Sequence, residues 1–237
     1  RCCERVGSIA RGTCGSRRGF GIGYGSQAGS SIFAQEVTAS IRLAAERARV
    51  QLVFVDNRGS PMGALQNADR LAKERVSLVI EFQTFDSVAP LISSKLQQAG
   101  IPMIAIDIPH PGAVYFGANN YDAGLIAGRA LGRWAARNWH GDVEQVLLVE
   151  LSPAGRLPHL RLTGSLAVLR EILPSISYDR VVRVEGGDKL KRSILAVGTL
   201  VPFVRPPRGL IPGINDVCAI GALRSFGAAV MSEHCEA

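Results

Sequence analysis

Residues 101–128 read IPMIAIDIPHPGAVYFGANNYDAGLIAG, and this stretch decides the fold. It contains a short apolar run at residues 104–106, which is typical of a strand buried on both faces of a parallel sheet. Asp107 follows that strand directly, and Pro109 and Pro111 keep the next residues out of a helix. Because ligands of open parallel sheets bind beyond the carboxyl ends of the strands, Asp107 is a candidate ligand contact. Asp is also common in turns, so a purely structural role is the alternative.

The second half of this stretch predicts a crossover to another group of elements. Residues 114–116 predict a short strand, and Asn120 is the expected N-cap of the helix that follows. That helix repeats Gly124, Gly128 and Gly132 at intervals of four residues, which leaves one face bare for close packing. A membrane-spanning interpretation is disfavoured because arginines interrupt the helix and no apolar run is long enough to cross a bilayer.

Strand and helix patterns alternate along the chain on both sides of the crossover. The predicted strands are residues 20–24, 52–55, 78–82, 104–106, 114–116, 145–150, 180–185 and 210–214, although Pro212 is unfavourable inside the last of these. Such alternation favours parallel sheets with right-handed connections. We therefore predict an α/β fold of two doubly wound parallel-sheet lobes separated by a cleft. The expected divisions are a disordered basic tail at 1–18, an N-terminal lobe at 19–117 and a partial second lobe at 118–237.

The composition favours a folded protein and gives little support to nucleic-acid binding. The 237 residues are 47% hydrophobic, and the mean hydropathy of +0.16 argues against disorder and against a membrane protein. The net charge of +7 is concentrated in two segments. Residues 1–18 hold five Arg and one Glu, and residues 180–208 hold seven Lys or Arg against two acidic residues. No aromatic residues alternate with these charges, as they would in a groove for single-stranded nucleic acid.

The cysteines and histidines show no pattern of a cofactor or metal site. The five cysteines are an odd number without a paired CxxC motif, which argues against a disulfide framework or a zinc site. The four histidines lack the spacing of metal ligands. No cofactor is predicted. The chain opens at Arg1 without a recognisable secretory segment, so its N-terminus is processed or incomplete, or the protein stays inside the cell.

Polar side chains also follow other predicted strands. Asp56 and Gln83 end the second and third strands, and Asn215 comes directly after the last one. All three positions lie at carboxyl ends of predicted strands, Asp56 and Gln83 in the first lobe and Asn215 in the second, where a ligand in the cleft would bind. Each residue has a structural alternative: Asp56 and Gln83 as turn residues, and Asn215 as the N-cap of the following helix. Asp56 and Gln83 are therefore the weaker candidates for ligand binding.

Four motifs resemble those of the periplasmic sugar-binding proteins of bacterial ABC transporters and the related effector domains of LacI-type repressors. They are IPMIAID at 101–107, GANNYDAGLIAG at 117–128, RLTG at 161–164 and INDVCAIGAL at 214–223. The resemblance implies a type I periplasmic-binding-protein fold that binds a monosaccharide or similar polyol without catalysis. It also implies a periplasmic location, with the cytoplasm as the alternative, and an ABC transporter permease as the partner. Members of this family continue with further strands of the second lobe, so the resemblance implies a C-terminally truncated second lobe.

The resemblance also assigns roles to residues of this sequence. Asp107 would accept hydrogen bonds from sugar hydroxyls, Arg161 would donate to the ligand, and the Asn215 amide would do both. Phe33 matches an aromatic residue that lies against the apolar face of the sugar. Ser165 stands where the family usually has an aromatic residue, in the helix that carries Arg161.

Two other functions are weighed against sugar transport. The effector domain of a LacI-type regulator shares the motifs but requires a DNA-binding headpiece. An NAD-dependent Rossmann enzyme is the less favoured alternative, because residues 23–28 read GYGSQA and fit G-x-G-x-x-A, with Asp56 ending the second strand. No later segment supplies a Ser-His-Asp order or a nucleophile elbow, so we predict a protein without enzymatic activity.

Overall fold

The structure is a computed structural model that describes residues 20–187, 189–204 and 208–233. Eight strands run β1 Gly21–Ser26, β2 Gln51–Asp56, β3 Leu78–Phe82, β4 Met103–Ile106, β5 Val114–Phe116, β6 Gln145–Glu150, β7 Val181–Glu185 and β8 Gly209–Leu210. Seven helices run α1 Ile32–Ala48, α2 Pro61–Glu74, α3 Ala89–Gln98, α4 Asn120–Asn138, α5 Arg156–Ile172, α6 Leu190–Gly198 and α7 Asp216–Glu233. The predicted tail at 1–18 lies outside the described residues.

The first lobe is a parallel sheet of five strands in the order β2-β1-β3-β4-β5. The chain passes from β1 to β2 on one side of β1 and then crosses to β3 on the other side. Because such connections are right-handed, crossing in opposite directions places helices on both faces of the sheet. Tyr24, Ala34 and Phe82 form the core beneath α1. A larger core centred on Leu71, Val79 and Ile92 lies beneath α2 and α3. Because the strand order reverses at β1, a crevice forms at the carboxyl ends of the strands. The prediction of a doubly wound sheet is confirmed for this lobe.

The second lobe begins with α4, which packs along α5 through its glycine face. A Cβ added at Gly124 would collide with the backbone of Arg161, and one added at Gly128 would collide with the backbone of Ser165. Ser165 is buried and donates a hydrogen bond from Oγ to the carbonyl of Gly124 at 3.0 Å. The predicted close packing of the glycine-spaced helix is therefore confirmed. Ser165 suits it because a small side chain keeps the two backbones together.

The second sheet has three described strands, all parallel, in the order β7-β6-β8. Its last strand is shorter than predicted, because β8 ends at Leu210 instead of continuing to Ile214. Pro212 has no N–H to give to the ladder, so the pairing with β6 is interrupted there. It resumes only as an isolated bridge between Val149 and Gly213, flanked by a hydrogen bond from Ile214 N to Val149 O at 3.0 Å.

The two lobes contact each other directly as well as through the crossover at residues 117–119. Ala89 and Ile108 of the first lobe form a buried apolar cluster with Ala154 of the second, and Leu151 packs against it. A Cβ added at Gly155 would lie 2.6 Å from the Asp86 Cβ, so the loops that follow β3 and β6 are also in contact. The carboxyl ends of both sheets therefore face one shared cleft.

Candidate ligand-binding cleft

The order of the strands separates the cleft into a part near the hinge and a part away from it. β4 and β5 lead into the crossover, so their ends lie at the hinge, whereas β2 and β7 are the edge strands on the far side. The far part is a cavity of about 560 Å³ between the lobes. The residues that line it come from both lobes: Gly59, Thr84, Phe85, Leu151, Ser152, Pro153, Glu185, Gly187, Lys189 and Arg192.

Asp107 stands at the hinge end of the cleft, directly after β4. Its backbone is in the left-handed region, with φ of 62°, and its N–H donates to the carbonyl of Phe116 at 3.0 Å. Asp tolerates this conformation better than most residues. Burial raises the pKa of the Asp107 carboxyl, and the positive charge of Arg161 opposes that rise. Two residues that are 54 positions apart in the sequence are thus brought into electrostatic range across the cleft, as the cleft hypothesis requires.

Arg161 reaches the same place from α5 of the second lobe. Its Nε–H donates to Asn120 Oδ1 at 2.7 Å, and its Nη1 donates to the carbonyl of Ile214 at 3.1 Å. A guanidinium carries five N–H donors, so three have no partner among the described residues. No ion pair with Asp107 is formed within the described part of the chain. The carboxylate of the first lobe and the guanidinium of the second therefore influence each other electrostatically without a direct bond in the described residues.

Asn120 differs from its predicted role. The N-cap of α4 is Asn119, whose side-chain oxygen accepts from the N–H of Asp122 at 3.2 Å. Asn120 is the first residue of the helix and is buried, with its Oδ1 on Arg161. The prediction was wrong by one residue because two adjacent asparagines can each cap a helix, and only the local backbone decides between them. What sequence reasoning missed is that Asn120 positions the arginine of the site.

Tyr115 is a second residue of the cleft that the sequence did not indicate. It lies on β5, and a Cβ added at Gly117 would collide with its phenol oxygen and come 3.2 Å from Asp107 Oδ1. Burial and the negative charge of Asp107 raise the pKa of Tyr115, whereas the Asn120 amide and Arg161 lower it. The phenol, the carboxylate, the amide and the guanidinium therefore form one polar cluster, the hinge cluster. The sequence contains one feature that could have indicated Tyr115 as a cleft residue: it is a tyrosine inside the otherwise apolar strand VYF, directly before the crossover.

The Asn215 side chain serves as a helix cap. Its Oδ1 accepts from the N–H of Cys218 at 2.9 Å at the start of α7. Its Nδ2 has no partner among the described residues, and the preceding carbonyl of Ile214 holds Arg161. The residue thus lies beside the hinge cluster, and its contact with a ligand stays a prediction.

Phe33 lies in the first turn of α1, where the chain leaves the carboxyl end of β1. Its ring packs edge-on against Phe82 with 5.9 Å between ring centroids, and the side chain is still 57% exposed. An exposed aromatic ring that is held in place by a buried one is available for contact with a ligand. That contact likewise stays a prediction.

Asp56 and Gln83 make local contacts within the first lobe. The Asp56 carboxylate accepts from the N–H groups of Gly29 and Arg58, the latter at 2.8 Å. Gln83 accepts from the N–H of Phe85, while its Nε2 is buried without a partner in the described residues. Both side chains are used by loops at the cleft edge, which is the structural alternative that the sequence left open.

The GYGSQA segment does not form a dinucleotide loop. Gly23 and Gly25 both lie inside β1, and α1 begins only at Ile32. Gly25 is needed for another reason, since a Cβ there would collide with the Glu81 carboxyl group. The loop geometry of a pyrophosphate site at a helix N-terminus is thus not reproduced.

The described residues contain neither a candidate metal cluster nor a helix that could span a membrane. No group of three or more His, Cys, Asp and Glu side chains within the described ranges is arranged to hold a metal ion. Among the described helices, none combines the length and the apolar character needed to cross a membrane.

Comparisons with known proteins agree with this architecture. A family model described as a periplasmic binding protein domain matches residues 22–231. No match is found among curated proteins. A solved ABC transporter solute-binding protein from Mycobacterium smegmatis with bound glycerol superposes with a TM-score of 0.77 at 18% identity, covering 89% of this chain and 71% of that one. The Caulobacter myo-inositol binding protein bound to myo-inositol gives 0.74 at 20% identity, with 92% and 73% covered.

A third similar structure is the periplasmic binding component of the arabinose ABC transporter from Shewanella sp. ANA-3, bound to α- and β-L-arabinofuranose. It gives a TM-score of 0.70 at 14% identity and covers 88% of this chain and 68% of that one. At such identities the likeness establishes the fold. The predicted two-lobed α/β architecture of the type I periplasmic-binding-protein kind is therefore confirmed.

Proposed function

The chain belongs to the periplasmic binding protein domain family, and from that premise we propose that it binds a neutral sugar or polyol in the interlobe cleft. It would do so without chemical conversion, as the solute-binding component of a carbohydrate ABC transporter. The proposed location is the periplasm, and the proposed partner is the transporter permease. The similar structures that hold glycerol, myo-inositol and arabinofuranose support this class of ligand.

The observation that carries the proposal is that Asp107 and Arg161, from different lobes, influence each other electrostatically but form no ion pair within the described residues. The carboxylate offers only acceptors and the guanidinium only donors, and each has bonding capacity to spare. A sugar hydroxyl is both a donor and an acceptor, so two neighbouring hydroxyls satisfy both residues at once. The two charges balance, which favours an uncharged ligand over a sugar acid or a sugar phosphate.

The remaining ligand contacts of the proposal come from the edges of the cleft. Phe33 would lie against the apolar C–H face of the ring, and Asn215 would add its free amide N–H₂. Gln83 and Asp56 are the weaker members, because loop N–H groups already occupy their oxygens. Binding energy gained from both lobes stabilises the closed state, and a transporter can recognise that state.

Calorimetry tests the proposal directly. The protein is titrated with glycerol, myo-inositol, L-arabinose, D-glucose and D-allose, and then with the best of these for Asp107→Asn and for the control Asp69→Asn. Asp69 lies on α2 in an exposed pair with Lys95, and its removal should leave affinity unchanged. Asp107→Asn should weaken binding by about tenfold or more, since one acceptor is replaced by an amide donor. Equal affinities of the two variants would exclude Asp107 from the site, and no binding to any of the five would contradict sugar binding.

A further inference from the structure

Tyr115 extends along the floor of the hinge. β5 pairs with β4 so that Tyr115 is aligned with Ala105, two residues before Asp107. The side chain does not point across the sheet to a core but reaches forward over Gly117, toward the carboxyl end of the strand. Only a residue without a Cβ at position 117 leaves room for the phenol there. The hydroxyl is therefore placed in the cleft beside the Asp107 carboxylate.

The surroundings of the phenol keep its proton available. Asp107, Asn120 and Arg161 all influence the phenol, and the first of these disfavours the phenolate. Tyr115 is 38% exposed, so the residue is neither sealed in a core nor free in solvent. A neutral phenol is a donor and an acceptor at once. Next to a carboxylate that only accepts, it extends the cluster by one more position for a ligand hydroxyl.

We propose that Tyr115 is a specificity-determining residue of the cleft, whose hydroxyl bonds the ligand hydroxyl next to the one that Asp107 accepts from. This inference rests on the proposed binding of a sugar or polyol. Because Tyr115 lies on the strand that enters the crossover, it contacts the edge of the ligand that is inserted toward the hinge. A ligand with a methylene group at that edge would leave both the phenol and Asp107 without a partner.

The test combines a conservative variant with modified ligands. Calorimetry measures the wild type, Tyr115→Phe and Tyr178→Phe with the tightest ligand among myo-inositol, L-arabinose, D-glucose and D-allose, and with each of its monodeoxy derivatives. Tyr178 is a matched control. It is 84% exposed, its ring lies beneath the Arg170 guanidinium, and it comes before β7, an edge strand of the second sheet.

The expected result is a loss of about fivefold to twentyfold in affinity for Tyr115→Phe with the parent ligand. One monodeoxy derivative should bind the wild type and Tyr115→Phe equally, because the lost hydroxyl is the partner of the phenol. Tyr178→Phe should match the wild type throughout. An unchanged affinity of Tyr115→Phe, or an equal loss with every derivative, would overturn the inference and leave sugar binding intact. A wild type that binds none of the ligands would overturn both.

Discussion

Glu81 provides a sharp test of how this sequence tolerates a buried acid. The residue is fully buried at the centre of the first lobe, with its carboxyl group against Gly25 of β1. Asn57 Nδ2 donates to Glu81 Oε1 at 2.7 Å, and Asn67 Nδ2 donates to Asn57 Oδ1 at 2.8 Å. Glu81 Oε2 has no hydrogen-bond partner within the described part of the protein. A carboxylate in this position would be poorly compensated, so the neutral acid is the form that fits.

The pKa of Glu81 sets the size and the sign of its effect on the free energy of unfolding. Burial raises the pKa of Glu81 from its ordinary value of 4.5 to about 8, and the hydrogen bond from Asn57 opposes the rise. The folded state therefore holds the proton more tightly than the unfolded state between these two values. The contribution of Glu81 is at its most favourable below pH 4.5 and is lost as the pH rises toward 8. Within that window each pH unit removes up to about 1.4 kcal/mol of unfolding free energy.

Chemical denaturation of the wild type and Glu81→Gln at several pH values between 5 and 8 measures the pH-dependent contribution of Glu81 to the unfolding free energy. Glutamine keeps the shape and the acceptor for Asn57 but does not titrate. The difference in unfolding free energy between the two proteins should change by about 1 kcal/mol per pH unit, with the wild type losing stability relative to the variant as the pH rises. A constant offset from a poorly fitting amide leaves this slope untouched. Parallel curves across the whole range would refute the assignment of a neutral buried acid.

Two further variants test the hinge and the helix pair. Asn120→Ala removes the acceptor of Arg161 and should weaken ligand binding by about fivefold or more in calorimetry. Asn119→Ala removes the N-cap of α4, so it should lower the unfolding free energy by about 1 kcal/mol and leave affinity unchanged. The reverse outcome would contradict these roles. Gly128→Ala forces α4 away from the α5 backbone and should lower the unfolding free energy by about 1–3 kcal/mol. Gly227→Ala on α7, where no atom of the described residues would lie within 4 Å of the added Cβ, should be neutral or stabilising. Equal melting temperatures of the two variants would contradict close packing.

The parts of the fold that were predictable depend on local signals. Ser60 caps α2 and Pro61 occupies its first turn, an arrangement that local sequence favours because capping needs only neighbouring residues. The strand at Leu78–Phe82 was found at its full length, since a buried parallel strand is a short apolar run between turn signals. The break at Pro212 had a local signal too, namely the missing N–H, and its effect was larger than the prediction allowed.

The parts of the site that were not predictable depend on contacts between distant segments. Asn120 and Arg161 are 41 residues apart, and nothing in either local pattern shows that they meet. The position of Tyr115 depends on the missing side chain at Gly117 and on the left-handed backbone of Asp107. Glu81 interrupts an otherwise apolar strand, which signals an unusual residue but does not reveal its partner.

The hinge cluster explains how a ligand in this cleft would favour one arrangement of the lobes. Both partners of the Arg161 guanidinium, Asn120 and the Ile214 carbonyl, belong to the second lobe, so the arginine is held in position by its own lobe. Asp107 and Tyr115 belong to the first lobe and precede the crossover. Because no ion pair or hydrogen bond joins Asp107 to Arg161 within the described residues, opening the lobes breaks no bond between these two side chains. A ligand that bonds both would supply the missing connection, and its full binding energy would be available only when the lobes are closed.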